Sequence, residues 1–140
     1  MEKEFLPYVP SLELKKLGFD EICFGYFLDT QLSAFHGTVV SARRNSRMAD
    51  VFNITENRAI AAPTWSTVFR WFREVHNLTW EHQFDDDSIQ IFTGEVTYPD
   101  NSLEFLKNIE VPYGGYAKAM EEAYLDVVHD LISKLKSKRK

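Results

Sequence analysis

Three consecutive aspartates, four histidines, one cysteine and an arginine pair beside a tryptophan are the residues of this chain that could do chemistry. A cation site needs several oxygens converging on one point. Asp85-Asp86-Asp87 are adjacent residues of an expected turn, so their carboxylates diverge, and they lack the spaced ligands and the glycine of a calcium loop. A solvated turn is the expected outcome. His36, His76, His82 and His129 show neither HxH nor HxxxH ligand spacing. His82 is expected to share a strand face with Trp80 and Phe84, as a core or edge histidine. Cys23 is the sole cysteine, which excludes an internal disulfide and a thiolate metal cluster within one chain. Its setting, Ile22-Cys23-Phe24, reads as that of a buried, inert thiol. The chain has no G-x-S-x-G elbow, P-loop or dinucleotide fingerprint. No catalytic residue, cofactor or metal is therefore expected, and a small enzyme with a site assembled from distant positions is the third-ranked reading.

Arg70, Trp71 and Arg73 form the candidate interface. Exposed aromatics beside arginine are typical anchors of protein interfaces, and the same residues could contact phosphate and stack on bases. The bland alternative is a solvated helix face with a partly buried tryptophan. Further basic residues are Arg43-Arg44 with Arg47, and the tail from Lys134 to Lys140. Charge decides the order of the two binding readings. Residues 63–115 carry 3 basic and 9 acidic groups, whereas 116–140 carry 6 and 4, within a net −5 for the whole chain. An acidic middle opposes a polyanion. A protein partner or self-association is expected first, and nucleic acid second.

The chain of 140 residues fits a single domain, 1–140, and is 44% hydrophobic and 14% aromatic, ample for a packed core. No apolar run approaches the roughly 20 residues of a membrane span. The acidic start, Met1-Glu2-Lys3-Glu4, lacks the order of a secretory signal. A cytoplasmic protein that does not enter membranes is the expectation.

The elements that must position these residues follow from periodicity. Ser11 to Gly18 reads as a short helix with Ser11 as N-cap and Gly18 at its end. Ile22 to Leu28 reads as a buried or central strand. Residues 29–60 are expected to form a long hairpin or mobile loop, with possible strands at 35–40 and 50–54. Thr64 should cap a helix over 64–76, closed by Asn77. On it Trp65, Val68, Phe69, Phe72 and Val75 share an arc of about 120°, with Trp71 at its edge. The alternating segment Leu78–Phe84 predicts a strand, returning after the aspartates through Ile89–Phe92 and on to Tyr98, with Gly94 as a bulge. Residues 103–111 suit either a strand or a helix. A last helix over 116–135 buries Met120, Tyr124, Val127, Leu131 and Leu135, followed by a frayed tail, 136–140. The fold class is α+β: a mainly antiparallel sheet with two long amphipathic helices and a short N-terminal one.

Ala62-Pro63-Thr64-Trp65 leading into Phe69-Arg70-Trp71-Phe72-Arg73-Glu74 resembles a helix motif of small uncharacterised proteins of bacteriophages and prophages. The likeness extends to Leu14-Lys15-Lys16-Leu17-Gly18-Phe19-Asp20-Glu21 with Cys23-Phe24, and to the closing helix from Glu121-Glu122-Ala123-Tyr124-Leu125 through Leu131 to Lys136. It touches about half of the chain, and residues 29–60 and 99–115 depart from the pattern. The resemblance implies a phage-derived accessory protein. It transfers no activity and no functional residues.

Overall fold

The computed structural model describes residues 4–23, 25–34, 45, 59–111 and 115–139. They form an α+β fold with three helices and two three-stranded antiparallel sheets. The possible strands at 35–40 and 50–54, and Phe24, His36, Arg43, Arg44 and Arg47, lie outside the described residues. No helix among those described is long and apolar enough to cross a membrane. The fold divides into two compact units, Met1–Val68 and Phe69–Lys140.

Unit 1 opens with α1, Tyr8–Lys16. The helix starts three residues earlier than its sequence suggests. Ser11 is not the N-cap: its amide donates to the Pro7 carbonyl (3.1 Å) and its buried hydroxyl to the Leu6 carbonyl (3.2 Å). Pro10 is tolerated because first-turn amides have no helical acceptor to lose. Gly18 ends the helix as expected, at φ +95°, with the Phe19 amide reaching back to the Leu14 carbonyl (2.9 Å). The central strand β1, Gly25–Leu28, pairs with β2, Gln31–Ala34, and with β3, Ala59–Ala62. Asp29 and Thr30, both at positive φ, make the two-residue turn from β1 to β2. Phe5, Phe27, Ile60 and Ala62 form a core cluster, with Tyr8, Leu12 and Leu32 against it. Buried Asn45 ties this unit together. Its side-chain amide donates to the Phe19 carbonyl (2.7 Å), and its oxygen accepts from the Ala61 amide (2.8 Å).

The boundary between the units falls inside α2, Trp65–His76. The Thr64 carbonyl accepts the first helical bond, from the Val68 amide (3.1 Å), and Asn77 at φ +57° closes the helix. Its buried stripe differs from the sequence arc. Val68 and Phe72 are fully buried, Phe69 is half-buried, Trp71 is buried and Val75 is 55% exposed.

Unit 2 is a meander, β4 (Leu78–Asp85), β5 (Ser88–Glu95) and β6 (Ser102–Glu110), with α3, Tyr116–Lys138, on one face. The ambiguous segment after Ser102 is a strand. The register shift falls between Ile91 and Phe92, not at Gly94. Gly94 is needed for another reason: a Cβ there would stand 1.9 Å from the Ser102 carbonyl oxygen. Ile89, Ile91, Val127, Val128 and Leu131 are all fully buried. The helix runs into the expected frayed tail, as far as Lys138, which has partners. Its ammonium donates to the His76 carbonyl (3.1 Å) and lies 3.9 Å from Glu95.

Candidate interaction surface

Of the candidate residues on α2, Arg70 and Arg73 are exposed, but Trp71 is only 4% exposed. The Trp71 ring packs edge-on against Phe72 (5.0 Å between centroids) and His76 (4.5 Å). The three side chains therefore do not come together as one exposed group. Helical spacing alone left Trp71 at the edge of the stripe, and the ring's size carries it inside.

Asp85 ends β4, and Asp86 and Asp87 make the turn to β5; all three are exposed, with Asp86 at φ +44°. They border an open depression with Ser88, Asn108, Glu110 and Val111. No group of three or more His, Cys, Asp or Glu among the described residues is placed to hold a metal ion. Cys23 is 3% exposed, and its thiol donates to the Glu21 carbonyl (3.5 Å).

A different group of rings does come together. Strand alternation puts Trp80, His82 and Phe84 on one face of β4, and each ring meets the next. Trp80 and His82 stack at 5.4 Å and 27°, and His82 meets Phe84 edge-on at 5.4 Å. Helix α3 extends the row: Tyr116 stacks on Phe84 (5.5 Å, 29°) and Tyr124 meets Trp80 edge-on (5.7 Å). Phe69 closes it, 5.2 Å from Trp80 and 5.7 Å from Tyr124. The row runs from half-buried to open. Trp80, Tyr124 and Phe69 are partly covered, whereas Phe84 is 59% exposed and Tyr116 49%. The sequence signal for Trp80, His82 and Phe84 was the alternation in β4. Tyr116 could not be read as their partner, because only the packing of α3 brings residue 116 to residue 84.

The two flanks of α3 differ in kind. Toward β4 it meets rings. Toward β6 it meets charge: the Lys107 ammonium donates to Asp126 (2.6 Å) and lies 3.5 Å from Glu122, and Lys134 bridges Glu104 and Asp130 at 3.7 Å each. The hydrogen bond that Lys107 donates to Asp126, with the nearby carboxylates, holds the Lys107 pKa above its ordinary value against the opposing effect of burial. Thr93 donates to Asp130 (2.5 Å) between the flanks. Polar pairing holds the helix on one side, and the aromatic side ends exposed at Phe84 and Tyr116.

Comparison with family models, with curated proteins and with solved structures finds no match to this chain.

Proposed function

We propose that this chain is a cytoplasmic accessory protein of phage descent that acts by docking a protein partner on the aromatic row of β4 and α3. The observation that carries the reading is the unbroken ring-to-ring contact from Trp80 through His82 and Phe84 to Tyr116, open at its Phe84 and Tyr116 end. Rings held by their neighbours lose little conformational entropy on binding and bury a large area, which suits them as interface anchors. A pre-assembled row of this kind exceeds what scattered exposed apolar residues require.

A polyanion is the second reading, favoured by the exposed Arg70 and Arg73 and by the ability of open rings to stack on bases. Charge ranks it lower. Glu81 and Asp85-Asp86-Asp87 stand in and beside the strand that carries the row, and all four are exposed.

The test places a photoreactive phenylalanine analogue at Tyr116 in the full chain, expressed in its native host. A protease-sensitive, nuclease-resistant adduct that disappears with Phe84→Ala supports a protein partner. A nuclease-sensitive adduct would reverse the ranking.

A further inference from the structure

We propose that β4 takes its partner by strand addition, pairing its open edge with an extended segment in which apolar and basic residues alternate. The proposal rests on the reading that the aromatic row docks a protein, and it specifies what that protein presents.

The phase of the ladder between β4 and β5 gives the geometry. Beyond the pair Leu78↔Glu95, the next opposed residues are Asn77 and Val96, and the Val96 amide donates to the Asn77 carbonyl (2.8 Å). Opposed pairs in an antiparallel ladder alternate between bonded and non-bonded. Thr79, Glu81, Gln83 and Asp85 therefore bond to β5, while Trp80, His82 and Phe84 turn their amides and carbonyls toward the other edge. Among the described residues no strand pairs with that edge, and every residue from Glu81 to Asp87 is exposed. The residues that offer backbone groups are the same ones that carry the rings.

An added strand would pair with Trp80, His82 and Phe84. Its residues opposite these three would lay their side chains along the aromatic row and should be apolar. The intervening residues would fall on the other face, alongside Glu81, Gln83 and Asp85, with Asp86 and Asp87 just beyond. Lysine or arginine fits there. Glu81 has a weak local partner, the Asn101 side-chain amide at 3.5 Å, and remains exposed. The same carboxylates argue against a second copy, since edge-to-edge pairing of two β4 strands would gather Glu81 and Asp85-Asp86-Asp87 of both along one seam. Charge on an edge strand is a common protection against such self-pairing.

The experiment titrates a short peptide alternating valine and lysine into the isotope-labelled full chain and follows amide exchange by NMR. The Trp80, His82 and Phe84 amides should gain protection, while those of Glu81, Gln83 and Asp85 change little. A peptide with glutamate in place of lysine should not bind, and Glu81→Lys with Asp85→Lys should abolish binding of the lysine peptide. His82→Pro removes an edge amide that β5 does not use, so it should abolish protection while the β4–β5 cross-peaks persist. Binding that shifts the ring protons without protecting the three edge amides would overturn strand addition and leave protein docking standing. No binding of the lysine peptide would also overturn it, with the photo-cross-link judging the docking reading separately. A doubled solution mass, lost with His82→Pro, would replace the basic strand by a second copy.

Discussion

The sheets of the two units share a strand count and an antiparallel pairing, and they differ in almost everything else. Among the described residues the strands of unit 1 are four residues each, and all four residues of β3 are buried. Those of unit 2 run eight or nine residues, and β4 passes from buried Leu78 to a fully exposed second half. Small residues go with the first arrangement: Ala59, Ala61 and Ala62 in β3 and Gly25 in β1 leave room for close neighbours. Rings go with the second. A short, covered sheet serves mainly to build a core, whereas a strand longer than its cover can offer side chains and backbone to something else. The proposed docking surface lies in the part of unit 2 that folding does not need to bury.

The largest effects should come from the covered residues. Phe72→Ala should cost ~3–5 kcal/mol and Leu131→Ala ~2–5 kcal/mol, since both side chains are fully buried. Thermal melts of the two variants check this, and a variant that melts with the parent would break the burial assigned to that helix. The two close-packed glycines sharpen the contrast between the sheets. A Cβ on Gly25 meets the edge of the Phe5 ring, Cε1 at 2.7 Å, and the Ala62 carbonyl at 3.3 Å, whereas one on Gly94 meets only backbone, that of Ser102 and Leu103, from 1.9 Å. Gly94→Ala should cost ~1–3 kcal/mol, the range of overpacking, and more than Gly25→Ala. The reverse order in urea titrations would mean that β5 and β6 can part more readily than the Phe5 ring can turn.

Asn45→Ala comes next, at ~1–3 kcal/mol, because it removes two buried hydrogen bonds, one to the Phe19 carbonyl and one from the Ala61 amide. Accelerated exchange of the Ala61 amide would mark the loss. In sequence this asparagine is hidden among Arg43, Arg44, Ser46 and Arg47, where it reads as a turn former, because a buried polar tie depends on partners distant in the chain. The same limit explains other misses. Period-2 alternation in residues 78–84 was legible because it is local, as was the apolar stripe of α3. The division of the described strands between two sheets was not, since pairing is long-range. The β1–β2 turn uses Asp29 and Thr30 in place of the Asn-Gly or Asp-Gly that marks such hairpins, and Thr30 at φ +75° is an unfavourable choice for a β-branched residue. On α2 the arc contained Val75, which is exposed in the last turn, and omitted Trp71, about 60° beyond Val68 yet buried. The candidate interface rested on that tryptophan. The aromatic row needed the tertiary placement of Tyr116.

His76 supplies a pH-dependent contrast within unit 2. Its Nε2 is buried without a hydrogen-bond partner among the described residues, and its ring lies against Trp71. Burial, reinforced by Arg139 and Lys138, lowers its pKa below 6.5. The unfolded chain therefore takes up a proton at higher pH than the folded one. This contribution is fully present above about pH 6.5 and is lost as the pH falls through the interval down to the folded value. His76→Gln should flatten the acid side of the melting profile relative to the parent. Profiles that stay parallel between pH 7 and pH 5 would show that protonation of His76 does not oppose folding.

The smallest effect on stability should come from Phe84→Ala, and it is the most informative. The ring is 59% exposed, and what it gives the fold is its contacts with His82 and Tyr116, worth at most ~1.5 kcal/mol each before solvent exposure is considered. Most exposed substitutions change stability by no more than ~0.5 kcal/mol, so the variant should melt close to the parent. Binding should respond quite differently. An anchor at the open end of the row loses most of its contact area on truncation, and ring anchors commonly cost ~2 kcal/mol or more of affinity, about a thirtyfold weakening. The ratio of the two losses separates a binding surface from a core in a way that either measurement alone does not. A large drop in melting temperature would place Phe84 with Phe72 among the covered residues. An unchanged melt with unchanged partner affinity would leave the long, open half of β4 without the role that its difference from the unit 1 sheet suggests.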